Sequence, residues 1–185
     1  MFKVQTNGLF VRNLVQFFWS GSKMERIDKV NYYLDMAEVA LERSTCIRRM
    51  WGAIIVKNDE IISTGYNGAP RGRKNCSEMH ECIREKLNVP RGEKYELCRS
   101  VHAEQNAIIS AERSKMLGST LYLVGKNYSD GKYVEKSSPC SLCKRMIINA
   151  GIKDIYIRDS KKEYRHIEVE DFVTNDESII GTSGY

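Results

Sequence analysis

The chain has no run of apolar residues approaching the roughly 18 to 20 that a membrane-spanning helix needs. Its most apolar segment, Leu9 to Trp19 (LFVRNLVQFFW), is short and is interrupted by Arg12, Asn13 and Gln16. No small-residue cleavage site accompanies it, which argues against a secretory leader. No internal repeat is visible. Charge of one sign is not in large excess either: the net charge of +5 suits a phosphate-bearing substrate or loose nucleic-acid contact, with an ordinary solvated basic surface as the default reading. What remains is a common composition, 42% apolar and 29% charged over 185 residues. That is enough for one domain with a real core and too little for two.

Four residues carry the chemistry. His102 and Glu104 stand in His-Ala-Glu, and Cys140 and Cys143 in Pro-Cys-Ser-Leu-Cys. One imidazole and two thiolates supply three of the four ligands of a tetrahedral zinc, which leaves a position for water. Glu104, close by and not needed as a ligand, is placed to move protons for a metal-activated hydrolysis. A closed structural zinc knuckle is the alternative, but such a site has no use for the carboxylate. CxxC beside HxE reads as metal chemistry in a reducing compartment, hence a cytoplasmic protein, and not as a secreted disulfide scaffold.

Periodicity gives the frame. Glu25 to Arg43 has apolar residues at Ile27, Val30, Leu34, Ala37 and Leu41, the rhythm of an amphipathic helix. Gly52 to Val56 and Glu60 to Tyr66 read as a β-hairpin turned at Asn58-Asp59. Residues 67–100, with Gly68, Pro70, Gly72, Pro90 and Gly92, read as a long functional loop. Ala103 to Ser114 is expected to be helical, Thr120 to Val124 a strand, Asn127 to Gly131 a turn and Lys132 to Lys136 its returning arm. Cys140 to Ala150 is expected to be a helix stopped by Gly151, and Asp154 to Arg158 a strand. Alternation after the hairpin implies parallel strands with helices on the faces, an α/β layered sheet. Both metal segments then open helices at one sheet edge, where the helix N-termini favour thiolate. Met1 to Lys23 reads as an extension, either packed on the fold or upstream of a native start at Met24, ahead of a domain over 24–172 and a polar tail over 173–185.

From roughly Arg26 to Arg158 the chain resembles the deoxycytidylate (dCMP) deaminase family of the zinc cytidine deaminase superfamily. HAEQNAI (102–108) and SPCSLCKRMIINAGI (138–152) carry the superfamily resemblance, which includes the H-x-E…P-C-x-x-C signature of zinc nucleobase deaminases. GYNGAPRG (65–72) is similar to the deoxycytidylate branch. The resemblance implies a three-layer α/β/α fold with a mixed sheet, an N-terminal hairpin followed by parallel strands, and helices on both faces. It implies hydrolysis of dCMP to dUMP and ammonia in pyrimidine deoxynucleotide metabolism. His102, Cys140 and Cys143 would bind zinc, with a zinc-held hydroxide as nucleophile and Glu104 as proton shuttle. Backbone groups near Ala103 and Ser138 would hold the base edge, and Asn67, with Gly68 beside it, would contact the sugar. Arg71, Arg73 and Lys74 would meet the phosphate. Homo-oligomers, hexamers among them, and control by dCTP and dTTP also follow from the resemblance. The glycines of Gly-Tyr-Asn-Gly also read as a tight turn needing positive φ. One departure is KNYSDGKYVEKSS (126–138), longer than the family's usual connection, which would lie beside the pocket.

Cys46, Cys76, Cys82 and Cys98, with His80, are not used by that site. Cys76, Cys82 and Cys98 with either Cys46 or His80 form a candidate set for a second, structural zinc pinning the long loop, although small buried apolar residues explain cysteines as well. Other readings of the site are a deaminase of a tRNA base, a free nucleoside or dCTP, and a zinc-stabilised binding protein that has lost turnover.

Overall fold

The computed structural model describes residues 26–90 and 92–176. The expected extension over 1–23 and most of the expected tail lie outside them. Five strands form one mixed sheet in the order β2-β1-β3-β4-β5: β1 (Arg49–Lys57), β2 (Glu60–Tyr66), β3 (Thr120–Asn127), β4 (Asp154–Arg158) and β5 (Tyr164–Glu168). The β1–β2 hairpin turns through Asn58 and Asp59, both at positive φ. β1 also pairs antiparallel with β3, β3 pairs parallel with β4, and β4 pairs antiparallel with β5.

Helix α1 (Lys29–Leu41) covers one face. Asp28 caps it by accepting the Asn31 N–H at 2.9 Å, so the helix begins later than the apolar rhythm suggests and Ile27 lies exposed before it. Tyr33, Leu34, Ala37 and Leu41 pack against Ile54, Val56, Tyr122 and Val124. The other face carries α4 (Ala103–Ile109) and α6 (Ser141–Ala150) over Ala53, Ile55, Leu121, Leu123, Ile155 and Ile157. The alternation of these residues along each strand puts one set on each face, giving the three layers.

The loop after β2 holds two short helices, α2 (Cys76–Met79) and α3 (Ile83–Lys86), and a 3₁₀ turn (Tyr95–Leu97). The helix expected over Ala103 to Ser114 is two: α4 stops at Ile109 and α5 (Arg113–Met116) follows. Ser110 ends the first by closing back on Asn106. The returning arm at 132–136 makes an isolated bridge between Lys126 and Tyr133 and no strand. β5 and α7 (Glu170–Thr174) were not anticipated; the sheet is mixed as expected, but β5 makes its far edge antiparallel where parallel strands were expected after the hairpin.

Two glycines bring the layers together. A Cβ on Gly52 would run into the backbone of α1 at Ala37 and Leu41, and one on Gly65 into the backbone of α4 at Ala103 and Ala107. Neither has positive φ; the requirement is close approach.

A buried ion network joins α1 to β4. Arg158 is 1% exposed; its Nη1 donates to Asp35 at 2.5 Å and Glu38 at 2.9 Å, and its Nη2 to the Asn31 side chain at 3.0 Å. Lys126 and the Tyr133 hydroxyl reach the same Glu38 at 2.5 and 2.8 Å.

Candidate active site

The strand-like link before α4 sets where His102 sits. Gly68 and Val101 exchange both backbone hydrogen bonds, at 3.2 and 2.8 Å. His102 is then the N-cap of α4, and its N–H donates to the Gln105 side chain at 2.9 Å. The helix is tied to β2 by the Ser63 hydroxyl donating to the Ala107 carbonyl at 2.8 Å and by Asn106 Nδ2 donating to the Tyr66 carbonyl at 2.7 Å. Cys140 is the N-cap of α6, and Cys143 lies in its first turn.

The two helix starts meet. His102, Cys140 and Cys143 offer ligand atoms within 4.8 Å of one another, the one such group of three among the described residues. His102 Nδ1 is 3.4 Å from each sulfur. A tetrahedral zinc with ordinary Zn–N and Zn–S bonds separates such atoms by about 3.6 Å, so this donor set fits zinc in both chemistry and spacing.

The electrostatics agree. Hydrogen bonding from Cys143, with His102 beside it, takes Cys140 down to about 4 despite burial. The same sulfur–sulfur contact and burial push Cys143 up, so the pair shares one proton that a cation would displace. Burial works against the charged form of His102, but Cys140 and Glu104 outweigh it and raise its pKa. Glu104 is 6% exposed, and burial raises its carboxyl pKa against the pull of His102. A buried carboxyl raised in this way holds its proton more readily than an exposed one, as a proton-transfer group must.

These residues open on a cavity of about 240 Å³. Its wall carries Arg48, Arg49, Arg84, Arg99 and Lys136 against a single carboxylate, Glu104. Arg71, Arg73 and Lys74, expected at the phosphate, are exposed and do not line it. Ala103 and Ser138 do line it. Asn67 is in the wall, but its carboxamide is largely taken up: Oδ1 accepts from the Trp51 N–H at 2.8 Å and the Ser44 hydroxyl at 2.6 Å, and Nδ2 donates to the Arg49 carbonyl at 2.9 Å. One amide hydrogen is left. Gly68 is not at positive φ, and a Cβ there would meet Thr45, so it too is a close-approach glycine and not a turn residue.

Cys46, Cys76, Cys82 and Cys98 all line this cavity, and all are free thiols. Burial raises the Cys76 pKa, and Cys46, Cys98 and Cys82 add to it, so the four are electrostatic neighbours. His80 is exposed, at a left-handed helix end, and stands apart from them.

Tyr95 and Arg84 carry no signal in the sequence. Arg84 is 6% exposed, donates to the carbonyls of Lys94 at 2.8 Å and Pro90 at 2.9 Å, and lies over the Tyr95 ring at 5.1 Å. Tyr95 in turn packs on His102. The stack is assembled across a loop with no periodicity, so spacing could not reveal it.

Three layers with an imidazole, two thiols and a buried carboxyl on adjoining helix starts are the arrangement of the zinc-dependent nucleobase deaminase class. Residues 27–158 match the family described as the cytidine and deoxycytidylate deaminase zinc-binding region, and the chain belongs to that family. It is 35% identical over 137 residues to the deoxycytidylate deaminase of Mycobacterium phage D29, a match covering 71% of this chain and 95% of that one. It is 32% identical over 161 residues to the deoxycytidylate deaminase of Schizosaccharomyces pombe, covering 80% of this chain but only 45% of the yeast protein's length. The crystal structure of dCMP deaminase from cyanophage S-TIM5 in complex with dCMP and dUMP is similar with a TM-score of 0.52 and 27% identity, covering 86% of this chain and 98% of that one. No helix among the described residues is long and apolar enough to cross a membrane.

Proposed function

We propose that this chain deaminates dCMP to dUMP, releasing ammonia, in pyrimidine deoxynucleotide metabolism in the cytoplasm. The observation that carries the reading is the cavity wall: even with Arg84 committed to two carbonyls and Arg48 paired with Glu85 at 3.0 Å, the wall is basic around one carboxylate, which suits an anionic nucleotide better than an uncharged nucleoside. The similarity to deoxycytidylate deaminases supports the same substrate.

Water adds at C4 of the cytosine ring, and the C4–N bond then breaks. Glu104 takes a proton from the attacking water and passes it to the ring nitrogen, then takes the proton of the new C4 hydroxyl and gives it to the amine, which departs as ammonia and leaves the C4 carbonyl. His102, Cys140 and Cys143 would hold the zinc, which when bound supplies a Lewis acid that lowers the pKa of water. Ala103 and Ser138 present backbone groups to the base edge, and the remaining amide hydrogen of Asn67 faces the sugar. The cations of the wall meet the phosphate, a role that passes from Arg71, Arg73 and Lys74 to Arg48, Arg49 and Arg99. Effector nucleotides, oligomeric assembly and a domain spanning 24–172 belong to the same reading.

A second, structural zinc held by Cys46, Cys76, Cys82 and Cys98 is part of the proposal. Its support is the gathering of four thiols from separate segments on one loop-built wall. Binding would draw their sulfurs closer than they now lie.

The test is ammonia release from dCMP, deoxycytidine, dCTP and a tRNA anticodon loop by the zinc-loaded protein. A kcat/KM for dCMP at least about tenfold above that for deoxycytidine is expected, one such step being about 1.4 kcal/mol of transition-state binding. Preference for any of the other three substrates overturns the proposal.

A further inference from the structure

We infer that Asp159 and Arg165 are positioning residues that fix the cavity wall over residues 136–138 from behind. The inference rests on the proposed function only in taking an aminopyrimidine nucleotide as the ligand.

The connection from β3 to α6 is the longer-than-usual segment, and Val134, Lys136, Ser137, Ser138 and Cys140 from it line the cavity opposite Glu104. Its first half is held by β3: Asn127 N–H donates to the Lys132 carbonyl and Val134 N–H to the Gly125 carbonyl, both at 2.9 Å. Beyond Val134 the chain leaves the sheet. There the Lys136 N–H, on a residue at φ 50°, donates to Asp159 Oδ1 at 2.8 Å. The Ser137 carbonyl accepts from Arg165 Nη2 at 2.6 Å.

These two anchors are one unit. Arg165 forks onto Asp159, Nε to Oδ2 and Nη2 to Oδ1, the latter at 3.0 Å. Asp159 is itself seated at the β4–β5 turn, its N–H donating to the Glu163 carbonyl at 2.9 Å. One carboxylate and one guanidinium therefore grip consecutive residues just ahead of Ser138 and the metal ligand Cys140. Neither Asp159 nor Arg165 lines the cavity. The geometry that the clamp imposes is that of the backbone facing the base, where a small displacement is costly. Cys140 and Cys143 are carried by α6 and do not depend on it for their spacing.

The experiment compares wild type, Arg165→Ala and Asp159→Asn as full-length, zinc-loaded protein, by hydrogen–deuterium exchange and by dCMP kinetics. In Arg165→Ala, exchange over 133–140 should quicken at least about tenfold while 141–150 stays protected. KM for dCMP should rise about tenfold with zinc content unchanged and kcat within about threefold of wild type. Asp159→Asn, which keeps the size and loses the charge, should move both readouts the same way and carries the test if Arg165→Ala does not fold. Unchanged exchange over 133–140 overturns the inference. So does an unchanged KM with only the active fraction reduced, the result of a role in stability alone. If the wild type does not act on dCMP, the proposed function fails and exchange alone still decides the clamp.

Discussion

The Tyr95 ring meets the His102 imidazole edge to face, with centroids 5.4 Å apart and planes at 79°. The metal-ligand histidine is thus walled on one side by an aromatic from a loop 3₁₀ turn, and that aromatic is itself backed by the buried Arg84 guanidinium. Such contacts fix a ring without using its nitrogens.

Removing that wall should loosen the imidazole and open the cavity. Tyr95→Ala is expected to lower kcat/KM for dCMP by about 10- to 100-fold, corresponding to about 1.4–3 kcal/mol, while Tyr95→Phe stays within about threefold of wild type. Steady-state kinetics on both variants checks this. Equal losses in the two would assign the effect to the hydroxyl.

The proposed role of Glu104 is to carry protons without binding the metal. Glu104→Gln should keep the zinc content of the wild type and lose activity by at least about a thousandfold. Elemental analysis and ammonia release on one preparation separate the two effects, and near-normal turnover would reject the assigned role.

Zinc stoichiometry decides the cysteine wall. Wild type should carry two zincs per chain, and Cys82→Ser one, with the remaining site still active after gentle purification. One zinc in clean wild-type protein rejects the second site.

The Arg158 network should set the acid limit of stability. Burial alone would raise the Glu38 pKa, but hydrogen bonds from Lys126, Tyr133 and Arg158 outweigh it and hold it below the ordinary value. A carboxylate depressed in the folded state contributes stability that is complete above the unfolded pKa, about 4.3, and disappears as pH falls through the folded one. Arg158→Ala removes the buried cation but leaves Glu38 with Lys126 and Asp35 with Lys161, and should cost about 1–3 kcal/mol at neutral pH. Its loss of stability on acidification should be shallower than that of wild type. Thermal melts from pH 7 to pH 3 test both points.

The parts of the fold with strong periodicity were legible. α1, the hairpin, β3, α6 and β4 follow from apolar spacing and turn residues, and the metal site follows from HxE and CxxC alone. β5 was not legible because YRHIE mixes exposed Tyr164 with charged neighbours, as an edge strand does. The cations of the cavity wall were not legible for a different reason. Arg71, Arg73 and Lys74 are near Asn67 in sequence, whereas Arg48, Arg84 and Arg99 reach the cavity from three separated segments. Asn67 was found by motif, but its hydrogen bonds to Trp51, Ser44 and Arg49 tie down the start of β1, a duty that no spacing reveals.

The missing side chain at Gly65 governs how deep the catalytic helix can seat. The Ala107 Cα lies 3.0 Å from where a methyl group would stand, so even alanine would lift α4, and with it His102 and Glu104, off the hairpin. α6 packs on α4 as well as on the sheet, so the seating of α4 also sets where the histidine stands relative to the two sulfurs. Clearance between two backbones, worth a single carbon atom, therefore tunes how well this protein grips its metal.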